Sequence, residues 1–183
     1  MRQLLQSLFL LHCSQIVHRD IKLSNLMFRS RSKESLDLVI NDFGLAIDIT
    51  EQGEQLFTRC GTPGYMAPEI FEMRIGDKLE NTACDIFSAG VIFHILVTGK
   101  GIFEGETKED ILVNNSKMNF NLSHEIINSM GEDCFDLLRR MLTINPMERV
   151  TAKDALKHSY FQECKGQLGF KSPAPTINTN HIL

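Results

Sequence analysis

The run His18-Arg19-Asp20-Ile21-Lys22-Leu23-Ser24-Asn25 crowds charged and polar side chains against two apolar segments that follow it. Leu26-Met27-Phe28 and Leu36–Ile40 are apolar, and a polar stretch from Arg29 to Ser35 separates them. That order predicts strand, loop, strand. An antiparallel hairpin returns its end to its beginning. Asn25 opens the first strand and Asp42 follows the second, so the hairpin brings their side-chain oxygens together. Phe43-Gly44 continues the second polar string. Few chains can satisfy this arrangement without a core that holds both strings.

The flanking segments supply such a core. Leu4, Leu5, Leu8 and Leu11 fall on one face of a helix predicted over residues 2–13. Met1-Arg2 before Leu8–Leu11 resembles a signal peptide only superficially. Gln3, Gln6 and Ser7 interrupt it and no small-residue cleavage site follows. Asn81-Thr82, then Ala83–Val97, then Gly99 reads as cap, helix and stop. That helix is apolar nearly all round, which predicts burial. Asp85, Ser88 and His94 interrupt it, and it is too short for a bilayer. Thr107-Lys108-Glu109-Asp110 and Thr151-Ala152-Lys153-Asp154 read as capping boxes with Asp in the usual Glu position. Glu132–Leu142 is a further amphipathic helix. Gly, Pro, Asn and Thr dominate residues 166–183, and a flexible tail is expected over 164–183.

The chain has 183 residues, 43% of them hydrophobic, enough for one domain over residues 1–163. A net charge of −4 gives no basic surface for nucleic acid or anionic membrane. Cys13, Cys60, Cys84, Cys134 and Cys164 are widely spaced without a C-x-x-C pair. Neither a zinc site nor a disulfide framework is expected, and reduced thiols in the cytoplasm or another intracellular compartment are.

The string H-R-D-x-K-x-x-N followed by D-F-G resembles the core of eukaryotic protein kinases. Further strings agree in order. Residues 45–69 form a long connection that ends in Gly61-Thr62-Pro63 and Ala67-Pro68-Glu69, similar to a kinase activation segment. Asp85-Ile86-Phe87-Ser88-Ala89-Gly90 resembles the family's D-x-W-S-x-G, with Phe87 replacing Trp. Asn145-Pro146-Met147-Glu148-Arg149 resembles its late N/D-P-x-x-R. Lys22 matches the serine/threonine pattern, and residues 90–96 and 139–142 most resemble calcium/calmodulin-dependent and calcium-dependent kinases.

The resemblance implies an α+β, mostly helical fold: a kinase-like large, C-terminal lobe with a small β-hairpin at the active site. Only 17 residues precede His18, so no small amino-terminal lobe is expected within these residues. No V-A-I-K string occurs, and Gly99–Gly105 misses the Gly-rich loop spacing and reads as a turn. The implied activity is transfer of the ATP γ-phosphate to a Ser or Thr hydroxyl of a protein substrate. Asp20 and Lys22 are then catalytic. Lys22, Asn25, Met27 and Asp42 bind ATP, and Asn25 and Asp42 hold Mg²⁺. His18 packs and hydrogen-bonds instead of acting as a base. Thr62 positions substrate, Thr58 is a phosphosite that pairs with Arg19, Asp85 hydrogen-bonds the catalytic-loop backbone, and Glu69 pairs with Arg149.

Ser24 stands where that group often carries a Glu that selects basic substrates. The expected partners are a protein substrate and a missing small-lobe segment or regulatory protein. The fragment is expected to be inactive alone. A non-catalytic scaffold, a pseudokinase or a truncated gene product is the alternative. A small-molecule phosphotransferase shares the H-x-D, N and D pattern, but the segment around Thr62 and Glu69 suits a protein substrate.

Overall fold

The computed structural model describes residues 1–29, 37–50, 59–74, 77, 79, 81–120, 122 and 131–162. Helix α1 spans Arg2–Cys13 and buries Leu4, Leu5, Leu8 and Leu11, the face its spacing predicted. The short strand β1, Ile16–Val17, pairs antiparallel with β4, Ile47–Asp48. Strands β2, Leu26–Phe28, and β3, Leu38–Ile40, form the expected hairpin. Their register sets Leu26 opposite Ile40 and Phe28 opposite Leu38. The β1–β4 pair was not legible beforehand, because two-residue strands carry no periodicity.

Helix α2 is Pro68–Glu72. Helix α3 runs Ala83–Thr98, and every residue from Cys84 to His94 is buried. Burial of each large aliphatic or aromatic side chain contributes about 1.5–3 kcal/mol, so α3 is the axis of the core. Asn81 supplies its amino-terminal cap, accepting from the Ala83 N–H at 2.9 Å, while the Thr82 side chain makes no cap bond. Gly99 stops it in the left-handed conformation, φ 72°, where a Cβ would be strained. Helix α4 is Lys108–Ser116 and begins with the complete capping box of Thr107 and Asp110. Helix α5 is Glu132–Met141, and its buried face is Cys134, Leu137, Leu138 and Met141. Helix α6 is only Ala152–Ala155. Thr151 caps it through the Asp154 N–H, one half of the box that its sequence predicts.

Helix α1 packs against α3, α6, β1 and β3, and α3 against α5. The buried side chains make one continuous cluster from Leu4 to Phe161. Both catalytic-type strings therefore emerge from the edge of a single core. Among the described residues, Cys13, Cys60, Cys84 and Cys134 are free thiols. Also among them, no helix is long and apolar enough to cross a membrane. The expected tail, 164–183, lies outside the described residues.

Candidate active site

Asp20 sits at the centre of a closed polar network and is 8% exposed. Lys22 Nζ donates to its Oδ2 at 2.6 Å. Thr62 Oγ1 donates to its Oδ1 at 2.6 Å, and Lys22 Nζ donates to Thr62 Oγ1 at 3.0 Å. Asn25 Nδ2 reaches the Asp20 carbonyl at 2.9 Å and Oδ2 at 3.3 Å. Burial alone pushes the Asp20 pKa up. Hydrogen bonds from Lys22, Thr62 and Asn25, with the Lys22 charge, outweigh it and hold the carboxyl below its ordinary range.

The loop bearing Asp20 bends sharply at Arg19, whose φ is 65°. A left-handed non-glycine residue costs on the order of 1–3 kcal/mol. Asp85, 1% exposed on the first turn of α3, offsets that cost. Its Oδ1 accepts from the Arg19 N–H at 2.9 Å and its Oδ2 from the His18 N–H at 2.8 Å. Hydrogen bonds to a charged acceptor are worth roughly 1.5–3 kcal/mol each. His12 Nε2, from α1, meets the same Oδ2 at 3.1 Å. The His18 ring is committed on both sides. Nδ1 accepts from the Asp20 N–H at 3.2 Å, and Nε2 contacts the Asn41 carbonyl at 3.1 Å. Its edge lies on Phe43, with centroids 5.0 Å apart.

The hairpin ladder continues one step past β2 and β3, as Asn41 N–H donates to the Asn25 carbonyl at 2.9 Å. That step sets Asn41 opposite Asn25, and Asp42 is the next residue along. Asn25 spends its amide nitrogen on Asp20, and among the described residues its Oδ1 makes no hydrogen bond. Asp42, with φ 63°, is exposed and accepts from the Gly44 N–H at 3.3 Å. An amide oxygen and a carboxylate fit a hard cation such as Mg²⁺, which takes few protein ligands. On β2, Met27 and Phe28 are 57% and 56% exposed, on opposite faces of the strand.

On the other side of Asp20, Glu69 of α2 meets Arg149 through two parallel contacts, at 2.6 and 2.9 Å. Arg149 also donates to the carbonyls of Thr143, Ala83 and Ile144, and its guanidinium lies 5.1 Å over the Phe87 ring. Ser88 Oγ donates to the Tyr65 carbonyl at 2.8 Å. Thr58 lies outside the described residues. Arg19, its expected partner, donates from Nε to the Leu45 carbonyl at 2.5 Å.

Two residues escaped the sequence reading. His12 looks like one more polar position at the end of α1. Asn115 looks like solvent-facing α4, yet it is fully buried and hydrogen-bonded to the segment around Tyr65. Neither position carries a local signal, since each partner is distant in sequence.

Residues 1–161 match the protein kinase domain family. The chain is 39% identical over 166 residues to calcium-dependent protein kinase 3 of Plasmodium berghei, covering 91% of this chain and 29% of that protein. It is 38% identical over 161 residues to the calcium/calmodulin-dependent protein kinase cmkB of Emericella nidulans, covering 87% and 39%. It is 35% identical over 163 residues to serine/threonine-protein kinase 17A of Oryctolagus cuniculus, covering 89% and 40%. The chain thus spans between 29% and 40% of the length of these relatives. With the match running through the catalytic-type strings and the core that carries them, the chain belongs to the protein kinase family, on its serine/threonine branch.

Proposed function

We propose that this chain is the large, C-terminal lobe of a kinase that transfers the ATP γ-phosphate to Ser or Thr hydroxyls of a protein substrate. The Asp20–Lys22–Thr62–Asn25 network is the observation that carries the reading. When bound, Mg²⁺-ATP supplies the phosphoryl group and neutralises its charge.

Asp20 orients the acceptor hydroxyl and takes its proton. Oδ2 is already shared by Lys22 and Asn25, whereas among the described residues Oδ1 carries only the Thr62 hydroxyl, so Oδ1 is the proton-accepting atom. Lys22 stabilises charge on the transferring group from a fixed position. Asn25 Oδ1 and the Asp42 carboxylate would hold the metal, and Met27 would contribute to the adenine floor. Thr62 places the substrate hydroxyl, and phosphate on Thr58 pairs with Arg19. A small lobe, or a protein taking its place, completes the nucleotide site over the exposed Met27. The chain described here is inactive without it.

The test joins this chain to a small kinase lobe and follows phosphate incorporation into a Ser/Thr peptide. Asp20→Ala should cost a factor of about 10²–10⁴ in turnover. Unchanged turnover would end the assignment.

A further inference from the structure

We infer that Asn115 of α4 is a positioning residue that holds the substrate-side segment Thr62–Met66 in register with the catalytic Asp20; the catalytic consequence rests on the kinase reading above. Asn115 is the rare polar side chain with no exposure at all. A buried amide must spend both its atoms or destabilise the fold. It spends them on either side of Tyr65. Oδ1 accepts from the Gly64 N–H at 2.9 Å, and Nδ2 donates to the Met66 carbonyl at 2.9 Å.

The rest of α4 agrees with a close fit at this point. Ile111 and Asn115, four residues apart, share one face of the helix. A Cβ on Gly64 would stand 3.1 Å from Ile111 Cγ2, and Gly64 has φ +87°. The segment is thus pressed onto α4 where only glycine fits, and Asn115 ties it down. Its near end is tied to the catalytic pair, because Thr62 Oγ1 contacts both Asp20 and Lys22. Tyr65 N–H also donates to the Thr62 carbonyl at 3.1 Å. A shift of α4 therefore reaches Asp20 through a chain of short contacts only a few residues long. The segment flanks the place where the acceptor hydroxyl meets Asp20, so a slack segment misplaces the substrate and leaves the nucleotide side untouched.

One substitution read at two places separates this role from simple destabilisation. Asn115→Leu keeps the branched heavy-atom shape, with somewhat greater bulk, and removes both hydrogen bonds. The first measurement is amide hydrogen exchange on the 183-residue chain itself. Asn115→Leu should speed exchange at Gly64 by about 10-fold or more while the amides of the buried α3 axis keep their protection. The second measurement uses the chain joined to a small lobe and one Ser-containing peptide chosen by the unsubstituted enzyme from a Ser/Thr library. Asn115→Leu should raise the peptide KM by about 10-fold while the ATP KM moves less than about twofold. Unchanged Gly64 exchange overturns the inference, as does a peptide KM that rises no more than the ATP KM. A joined enzyme that phosphorylates nothing in the library sinks the kinase reading instead, and Gly64 exchange then decides whether Asn115 holds the segment.

Discussion

Arg149 forks onto Glu69 across 80 residues of sequence, Nη1 to Oε1 at 2.6 Å and Nη2 to Oε2 at 2.9 Å. The guanidinium side chain is wholly buried, while Glu69 keeps 16% exposure. The pair closes the end of the segment that leads from Thr62 to Glu69 onto the core. Its two halves are unequal. Arg149 also satisfies three backbone carbonyls, whereas the Glu69 carboxylate can turn toward solvent.

Arg149→Ala should therefore destabilise more than Glu69→Ala. Loss of the arginine strands three backbone carbonyls and a carboxylate beside a buried site, and should cost about 3–5 kcal/mol. Loss of the glutamate leaves an arginine still bonded to Thr143, Ala83 and Ile144, and should cost less. Urea denaturation of the two variants measures the order, and a reversed order contradicts it.

Asp136 should shape the acid limb of stability. Hydrogen bonding from His158, then from Arg140 and Arg139, outweighs burial and holds its carboxyl at about 2, against an ordinary 3.8. A depressed carboxylate contributes stability that is present above its unfolded pKa and is lost as pH falls through its folded one. Wild-type stability should thus fall between about pH 4 and pH 2 in part through this group. Asp136→Asn should be weaker at pH 6 and show a shallower fall across that window. Thermal melts from pH 6 downward give both readings.

Thr62 should tune Asp20 as well as position it. Its hydroxyl is one of the donors that keep the Asp20 carboxyl ionised. In the joined enzyme, Thr62→Ala should move the acid limb of kcat/KM to higher pH and lower kcat by roughly 10- to 100-fold. Thr62→Ser, which retains the donor, should restore both. A pH profile that does not move contradicts the assignment.

On the reading proposed above, the 183-residue chain alone should neither turn over substrate nor bind Mg²⁺-ATP tightly. Asp42 is exposed, so its attraction to a bound cation is weakened severalfold by water. Calorimetry of the 183-residue chain, run beside a radiolabel transfer assay, decides it. Micromolar binding together with turnover contradicts the expectation.

The catalytic-type strings were legible because their geometry is local. Asp20, Lys22 and Asn25 lie within six residues, and one hairpin returns the chain to Asn25 one residue before Asp42. Helix α1, the buried axis α3, the Gly99 stop and the Thr107 capping box were legible for the same reason, since each depends on neighbours within one or two turns. What places the loop bearing Asp20 was beyond reach of local pattern. The left-handed bend at Arg19 persists because Asp85, 66 residues away, accepts its N–H, and His12 reaches that same carboxylate. Asn115 reads as a surface residue in a weakly patterned helix, and only the approach of Gly64 and Met66 makes it a buried clamp. The β1–β4 pair joins two-residue strands that have no preference of their own. Local chemistry thus chose which groups this protein carries, and long-range packing around α3 decided where they stand, because a buried polar group is stable only where distant backbone meets it.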